Sequence, residues 1–308
     1  MPKNNEIFVQ CFIKTDMDTL WKYTQTPELH QQWDLRFTEI TYLPKQDQQA
    51  PQRFLYKTNI GFGLSITGEG ESMGHAEKDA TKTSFLRFWS NHPLSLIREG
   101  SGFWRYIPET ENGVRFFTRY DYRTRFGTVG SRVDRLVFRP LMAWATAWSF
   151  DALRLWLERG IPPKFSLLRY VTEALCRFTL CFVWMYQGLI PKLFFPEAGE
   201  LQMVREIGVF PGYETIVLAS LGMFEVIFGL LFFLLGRSRR KALYIWNVLL
   251  LFFLALGALP APAVFAGPFN PVTLNLGMMV LSAIGMLNLQ DLPDASHCYW
   301  RIGPEVRK

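Results

Sequence analysis

Polar and apolar positions alternate in the first half of the chain and run together in the second. Residues 7–14, IFVQCFIK, are β-branched and aromatic and predict a strand. Thr15 with Asp18 three residues on predicts a capped helix, and Met17, Leu20 and Trp21 fall on its apolar face. Thr26 and Pro27 predict a second, short helix ending near Trp33. The clearest alternation is RFFTRYDYRTRF (115–126), whose even positions are aromatic or Thr and whose odd positions are charged apart from Phe117. That pattern predicts an antiparallel strand with one buried and one wet face. Shorter strands are expected at 53–58, 64–74, 84–90 and 101–107, separated by glycine and proline signals. A long helix is expected from Ser131 to Arg159, bent at Pro140 and ended by Gly160 and the Pro162–Pro163 pair.

After residue 165 the period changes. Four apolar stretches, 170–193, 214–235, 242–259 and 271–289, each approach the roughly 20 residues needed to cross a bilayer. The loop GRSRRK (236–241) is basic, whereas LPAPAVFAGPFNP (259–271) carries no charge. The excess of Lys and Arg on cytoplasmic loops then places both termini and the first half in the cytoplasm, with the chain in the inner membrane. The expected division is a first domain at 1–160, a linker at 161–169, a membrane domain at 170–290 and a cytoplasmic tail at 291–308.

The order of a strand, two short helices, several antiparallel strands and a long final helix resembles the helix-grip fold. This is the START, polyketide-cyclase and Bet v 1-like (SRPBCC) superfamily. The segment LWKYTQTPELHQQWDLRFTEITYL (20–43) carries the resemblance most closely. It implies an α+β domain whose antiparallel sheet and long C-terminal helix enclose an apolar cavity for a lipid or other hydrophobic small molecule. Carried onto this chain, Trp33, Phe37, Phe88, Trp104, Tyr120, Tyr122, Met142 and Trp148 would line that cavity. From the residues alone, each is equally a plain core aromatic or methionine.

The second half resembles the DoxX-like family of small bacterial membrane proteins, an all-α four-helix transmembrane bundle. The match lies in Arg177, FTLCFVWMYQ, Gly188, LIP, Lys192 and Leu193, and again in FNPVTLNLGMMVLSAIGM (269–286). This resemblance implies a link to quinone-dependent redox partners in the membrane.

Composition then removes alternatives. The net charge of +6 is spread widely rather than gathered into a basic stripe, which argues against nucleic acid as a partner. Four cysteines (Cys11, Cys176, Cys181 and Cys298) form no CxxC and read as reduced thiols. His30, His75, His92 and His297 are scattered, so neither a metal site nor a His–carboxylate pair is expected. No phosphate-cradling glycine motif and no nucleophile elbow occurs. Glu69 and Glu71 share one strand face and read as solvated. In the apolar half, Glu225 lies mid-span and needs a partner, for which Arg177, Asn247 and Asn275 are candidates. Glu173 and Arg177, four apart, are spaced to pair along one helix face.

Three functions stay open: a membrane-tethered binder of a hydrophobic molecule, an enzyme or redox subunit (acting in the cup or on quinone), and a scaffold with a collapsed cup. No resident cofactor is expected for the first. The helix RPLMAWATAWSFDALRLWLERG (139–160) also suggests a membrane contact. Its apolar surface of Met142, Trp144, Ala145, Trp148, Leu155 and Trp156 is flanked by Arg132, Arg135, Arg139, Arg154 and Arg159. The expectation is that this helix rests on the bilayer and gates the cup.

Overall fold

The computed structural model describes residues 5–45, 47, 50–109, 113–208, 210–257, 259–260, 265–266 and 270–303. The chain forms two compact units, Met1–Ser166 together with Pro293–Lys308, and Leu167–Leu292.

The first unit is a helix-grip cup. Its antiparallel sheet contains β1 (Ile7–Ile13), β2 (Glu39–Tyr42), β3 (Gln52–Gly61), β4 (Leu64–Lys78), β5 (Thr81–Trp89), β6 (Ile97–Glu109), β7 (Gly113–Thr124) and β8 (Tyr299–Ile302). The spatial order is β2-β3-β4-β5-β6-β7-β1-β8. The expected alternation holds on β7, where Phe116, Thr118, Tyr120 and Tyr122 are all buried. Between β1 and β2 lie α1 (Met17–Gln25) and α2 (Pro27–Trp33). Asp16, not Thr15, caps α1 by accepting from the Thr19 amide at 2.8 Å. A carboxylate there also complements the helix dipole.

The expected long helix is divided into α3 (Gly127–Val133), a π-helical turn (Asp134–Phe138) and α4 (Arg139–Arg159). The π turn sits just before Pro140, which has no amide proton to continue the ladder. Gly160 ends α4 at φ 67°, a left-handed conformation that glycine adopts without steric cost. Ala143, Ala147, Phe150 and Leu153 of α4 are fully buried in the cup's core with Ile7, Val9, Ile13 and Phe116.

Residues 293–303, expected as the start of a tail, are part of the cup; 304–308 lie outside the described residues. Asp294 caps a short 3-10 turn at Ala295–His297, and Tyr299–Ile302 pairs antiparallel with β1 as the edge strand. Asp151 on α4, fully buried, fastens this return: it accepts from the Asp294 amide at 2.8 Å, bonds His297 Nδ1 at 2.9 Å and holds Arg154 Nε at 2.7 Å. In sequence order, the helical unit is thus an insertion within the cup.

The second unit contains the remainder of α5 (Pro163–Gln187), a π-helical turn (Gly188–Phe194), α6 (Glu200–Ile207), α7 (Glu214–Leu234), α8 (Arg237–Gly257) and α9 (Pro271–Leu287). Helix occupies most of each of the four expected apolar stretches, but among the described residues only α7 and α8 are long and apolar enough to cross a membrane. Arg169, Glu173 and Arg177 interrupt the apolar run of α5, and α9 has 17 residues. Gly188 and Gly222 bring the π turn and α7 into backbone contact: a Cβ on Gly188 would lie 2.5 Å from the Gly222 carbonyl oxygen.

Candidate functional site

Inside the cup is a cavity of about 390 Å³. Sheet alternation supplies most of its wall: Phe54, Tyr56, Thr58 and Ile60 point inward from β3, and Leu86 and Phe88 from β5. The aromatic rings need room. Phe88 is paired with Gly100 in register, and a Cβ at Gly100 would run into the Phe88 ring. Glycine on the neighbouring strand therefore lets the ring lie across the sheet and leaves the volume above it open.

Of the eight residues expected to line the cavity, Phe37, Phe88, Trp104, Tyr120 and Met142 do so. Trp33, Tyr122 and Trp148 are buried but lie outside its lining. Trp33 packs at 6.0 Å from Phe150 and donates Nε1–H to the Tyr23 carbonyl at 3.0 Å. Tyr122 donates to Asp134 Oδ1 at 2.7 Å, with the Arg139 guanidinium 4.1 Å from its ring. Alternation identifies the inward face of β7, but Tyr122 is drawn to the buried charges of the π turn.

The apolar wall is interrupted by a polar cluster absent from the sequence expectations. His30, on α2, bonds Asp34 Oδ2 through Nε2 at 3.0 Å. Arg36 grips the same carboxylate with both arms, Nε to Oδ1 at 2.8 Å and Nη2 to Oδ2 at 2.6 Å. Asp34 is fully buried, while His30 and Arg36 border the cavity. The loop that carries them is pinned from two sides: the Leu35 amide donates to Ser149 Oγ on α4 at 2.9 Å, and Thr58 Oγ1 on β3 donates to the Arg36 carbonyl at 2.5 Å. The spacing His30–Asp34, one helical turn, was available in the sequence, so the expectation of no His–carboxylate pair is corrected here. Arg36 gave no separate signal, because a loop has no period to fix its direction.

Burial by itself would raise the Asp34 carboxyl, but Arg36 and then His30 hold it well below the usual carboxylate range. Burial pushes the His30 imidazole down despite Asp34, favouring its neutral form. The ionised carboxylate accepts from Nε2–H, which leaves the lone pair on Nδ1. The cluster is thus one anion, one cation and a neutral imidazole, with no net charge. Arg36 has N–H groups beyond the two taken by Asp34, and its guanidinium carbon lies 5.4 Å from the Tyr120 ring centroid. Thr146 commits its proton to the Met142 carbonyl at 2.8 Å, so Tyr120 donates to Thr146 Oγ1 at 2.9 Å. A second polar patch joins Tyr106 to Thr24 Oγ1 at 2.7 Å and to Gln25 Nε2 at 2.9 Å, with Thr24 and Gln25 on the cavity wall.

The helical unit holds buried polar groups of a different kind. Glu225 pairs with Lys192 Nζ at 3.1 Å, and Glu200 stands 3.6 Å from the same nitrogen. The partner of Glu225 is therefore none of Arg177, Asn247 or Asn275. Lys192 is delivered by the π turn, which re-aims its side chain toward α7. Arg177 pairs with Glu173 at 3.4 Å, as its spacing predicts, and Glu173 also accepts from Tyr244 at 3.2 Å and Arg240 at 3.4 Å. Asn247 ties three helices, accepting from Trp184 Nε1 at 2.6 Å and donating to Ser282 Oγ at 2.7 Å. Asn275 donates to the Leu251 carbonyl at 3.3 Å.

The match to the DoxX-like family covers residues 181–283. An uncharacterized membrane protein of Bacillus subtilis (strain 168), YndG, is 48% identical over 191 residues, which cover 60% of this chain and 69% of that one. Among solved structures, the chain is similar to a STAR-related lipid transfer protein fragment from Xanthomonas axonopodis, at 15% identity and a TM-score of 0.38 over 51% of this chain and 88% of the other. It is also similar to the Zhui aromatase/cyclase from Streptomyces sp. R1128, at 13% identity and a TM-score of 0.34 over 48% of this chain and 95% of that one. The chain belongs to the same family as the YndG membrane protein, and it is a membrane protein with a DoxX-like helical segment and a helix-grip cup.

Proposed function

We propose that the cup binds a hydrophobic small molecule or lipid that carries one neutral hydrogen-bonding oxygen. The single observation that carries this reading is the cavity of about 390 Å³, walled by aromatic and aliphatic side chains and bordered at one place by the Arg36–Asp34–His30 cluster. A cavity of that size falls within the usual range for small-molecule sites. Because Asp34 neutralises Arg36, the remaining guanidinium N–H groups suit a hydroxyl or carbonyl better than a carboxylate. The test is displacement of a bound hydrophobic fluorophore from the full chain in lipid nanodiscs, using a fatty alcohol and the fatty acid of equal chain length. The alcohol is expected to displace at lower concentration, and displacement by neither would overturn the reading.

A second reading is favoured by the neutral His30 held by Asp34 beside the same cavity. That pair has the form of an oriented general base, so proton abstraction from a bound ligand is open to this site.

For the membrane half we propose four spans, with α5 and α9 joining α7 and α8, and with the cup in the cytoplasm. The basic 236–241 loop and the uncharged 259–271 loop support that orientation. A reporter inserted at Ser238 is expected inside and one at Ala263 outside, and the reverse result would place the cup outside.

A further inference from the structure

The sequence pointed to α4 as a surface helix, but α4 is taken up by the cup. Trp148 and Leu155 are buried, Arg139 is buried between Asp121 and Asp134, and Arg154 is held by Asp151 and Glu158. The exposed apolar surface lies just upstream. Val129 and Val133 on α3, Leu136 and Val137 on the π turn, and Leu141 at the start of α4 follow helical spacing. Of these, Val129 is 68%, Leu136 71% and Val137 62% exposed. A helical stripe of this kind, on a unit whose other helices bury their apolar faces, needs an occupant.

A second element carries the same chemistry. The β3–β4 hairpin turns at Gly61, Phe62 and Gly63; Phe62, held at φ 51°, is fully exposed, with Ile60 and Leu64 about half exposed beside it. The two elements are joined by the cavity, since Ile60 from the hairpin and Leu141, Phe138 and Met142 from the helical segment all line it. They therefore border the same cavity. The exposed charges on the helical segment are Arg132 and Arg135, while its one acid, Asp134, is buried against Arg139. Residues 59–65 of the hairpin, NIGFGLS, have no charge. An apolar rim with basic flanks and no exposed acid is complementary to an anionic lipid surface.

We propose that this rim, the 60–64 hairpin together with the 129–141 helical face, inserts into the bilayer interface, and that lipidic ligands enter the cup there without crossing water. The entry step rests on the ligand reading above; insertion does not. The four native cysteines are buried, so single spin labels can be placed selectively on the full chain. Phe62→Cys and Leu136→Cys would report on the rim, and Leu55→Cys, exposed on the outer face of β3, would serve as the aqueous control. The chain would be reconstituted in phosphatidylcholine vesicles with and without phosphatidylglycerol, and collisions with oxygen compared with those of a water-soluble nickel chelate. The rim labels are expected to favour oxygen over nickel, the reverse of the Leu55 label, with the contrast growing when phosphatidylglycerol is present. Rim labels that match the Leu55 control would overturn the proposal. So would rim labels shielded from both reagents, because that marks cover by protein. Small molecules retained by the same samples are measured separately, so an empty cup with a lipid-immersed rim refutes the ligand reading and the entry step and leaves insertion standing.

Discussion

The cup and the helical unit both bury charged pairs, and they do so for different ends. In the helical unit, Lys192–Glu225 and the cluster around Glu173 connect one helical element to another, and Glu173 is fully enclosed. In the cup, the loop that holds the Asp34–Arg36 pair is pinned to α4 through the Leu35 amide, and Arg36 borders an open cavity. The first kind of pair is a tie. The second is a polar spot on an apolar wall, held rigid by its neighbours and retaining donors for something else. The comparison teaches that a buried ion pair is a candidate binding group only where a cavity meets it.

The largest expected effect is in the helical unit. Glu225→Leu leaves the Lys192 ammonium buried with Glu200, 3.6 Å away, in place of its 3.1 Å partner, so the loss is expected at the lower end of the about 3–5 kcal/mol typical of breaking a buried pair. The double change Lys192→Met with Glu225→Leu is expected to recover most of that loss, as read by thermal unfolding of the full chain in nanodiscs. A double variant no more stable than Glu225→Leu would mean that the pair is not a simple structural tie.

The corresponding change in the cup is expected to be milder. Asp34→Ala strips Arg36 of two hydrogen bonds, but water in the cavity can replace part of them, so a loss of about 1–3 kcal/mol is expected. The more telling readout is selectivity. With its cation no longer neutralised, the cup of Asp34→Ala should turn from the fatty alcohol toward the fatty acid in the displacement assay. An unchanged preference would show that Arg36 does not meet the ligand.

The smallest effect is on pH dependence. His30 has its folded pKa lowered by burial, so the unfolded chain binds the proton more readily. Its contribution to stability is lost as pH falls below about 6.5, the ordinary histidine value. Asp34 is also depressed, through Arg36, and its contribution is present above about pH 4 and lost as pH falls below that. His30→Gln is expected to flatten the stability curve between these two values and to leave the acid limb below pH 4. A curve that keeps its slope between pH 4 and 6.5 in His30→Gln would assign that slope to another group.

Much of the cup could be read from the sequence because a strand has a period of two. The alternation in 115–126 identified the buried face of β7, and helical spacing identified the apolar side of α1. What escaped was non-periodic or distant in sequence. Arg36 lies in a loop, and its direction is set by Ser149 and Thr58, which are far away along the chain. The strand β8 is four residues long, too short for a pattern, and its place depends on the Asp151 contacts from α4. In the helical unit, hydropathy found the helices but not their partners: Lys192 reaches Glu225 because a π turn rotates it, and no hydropathy profile records a π turn. The glycines of GFGLSITGEGES match no phosphate-binding motif, yet Gly61 and Gly63 shape the hairpin tip, and Gly70 is paired in register with both Phe54 and Phe88.

The central claim is that the cup is an occupied binding site, and mass spectrometry of the small molecules retained by the gently purified full chain tests it most directly. Ala145 lines the cavity, and Ala145→Phe would fill part of it while leaving every residue of the Arg36 cluster in the sequence. The account predicts a hydrophobic molecule bearing a hydroxyl or carbonyl that copurifies with the native chain and is lost from Ala145→Phe. The same molecules retained equally by both proteins, or none retained by either, would contradict it.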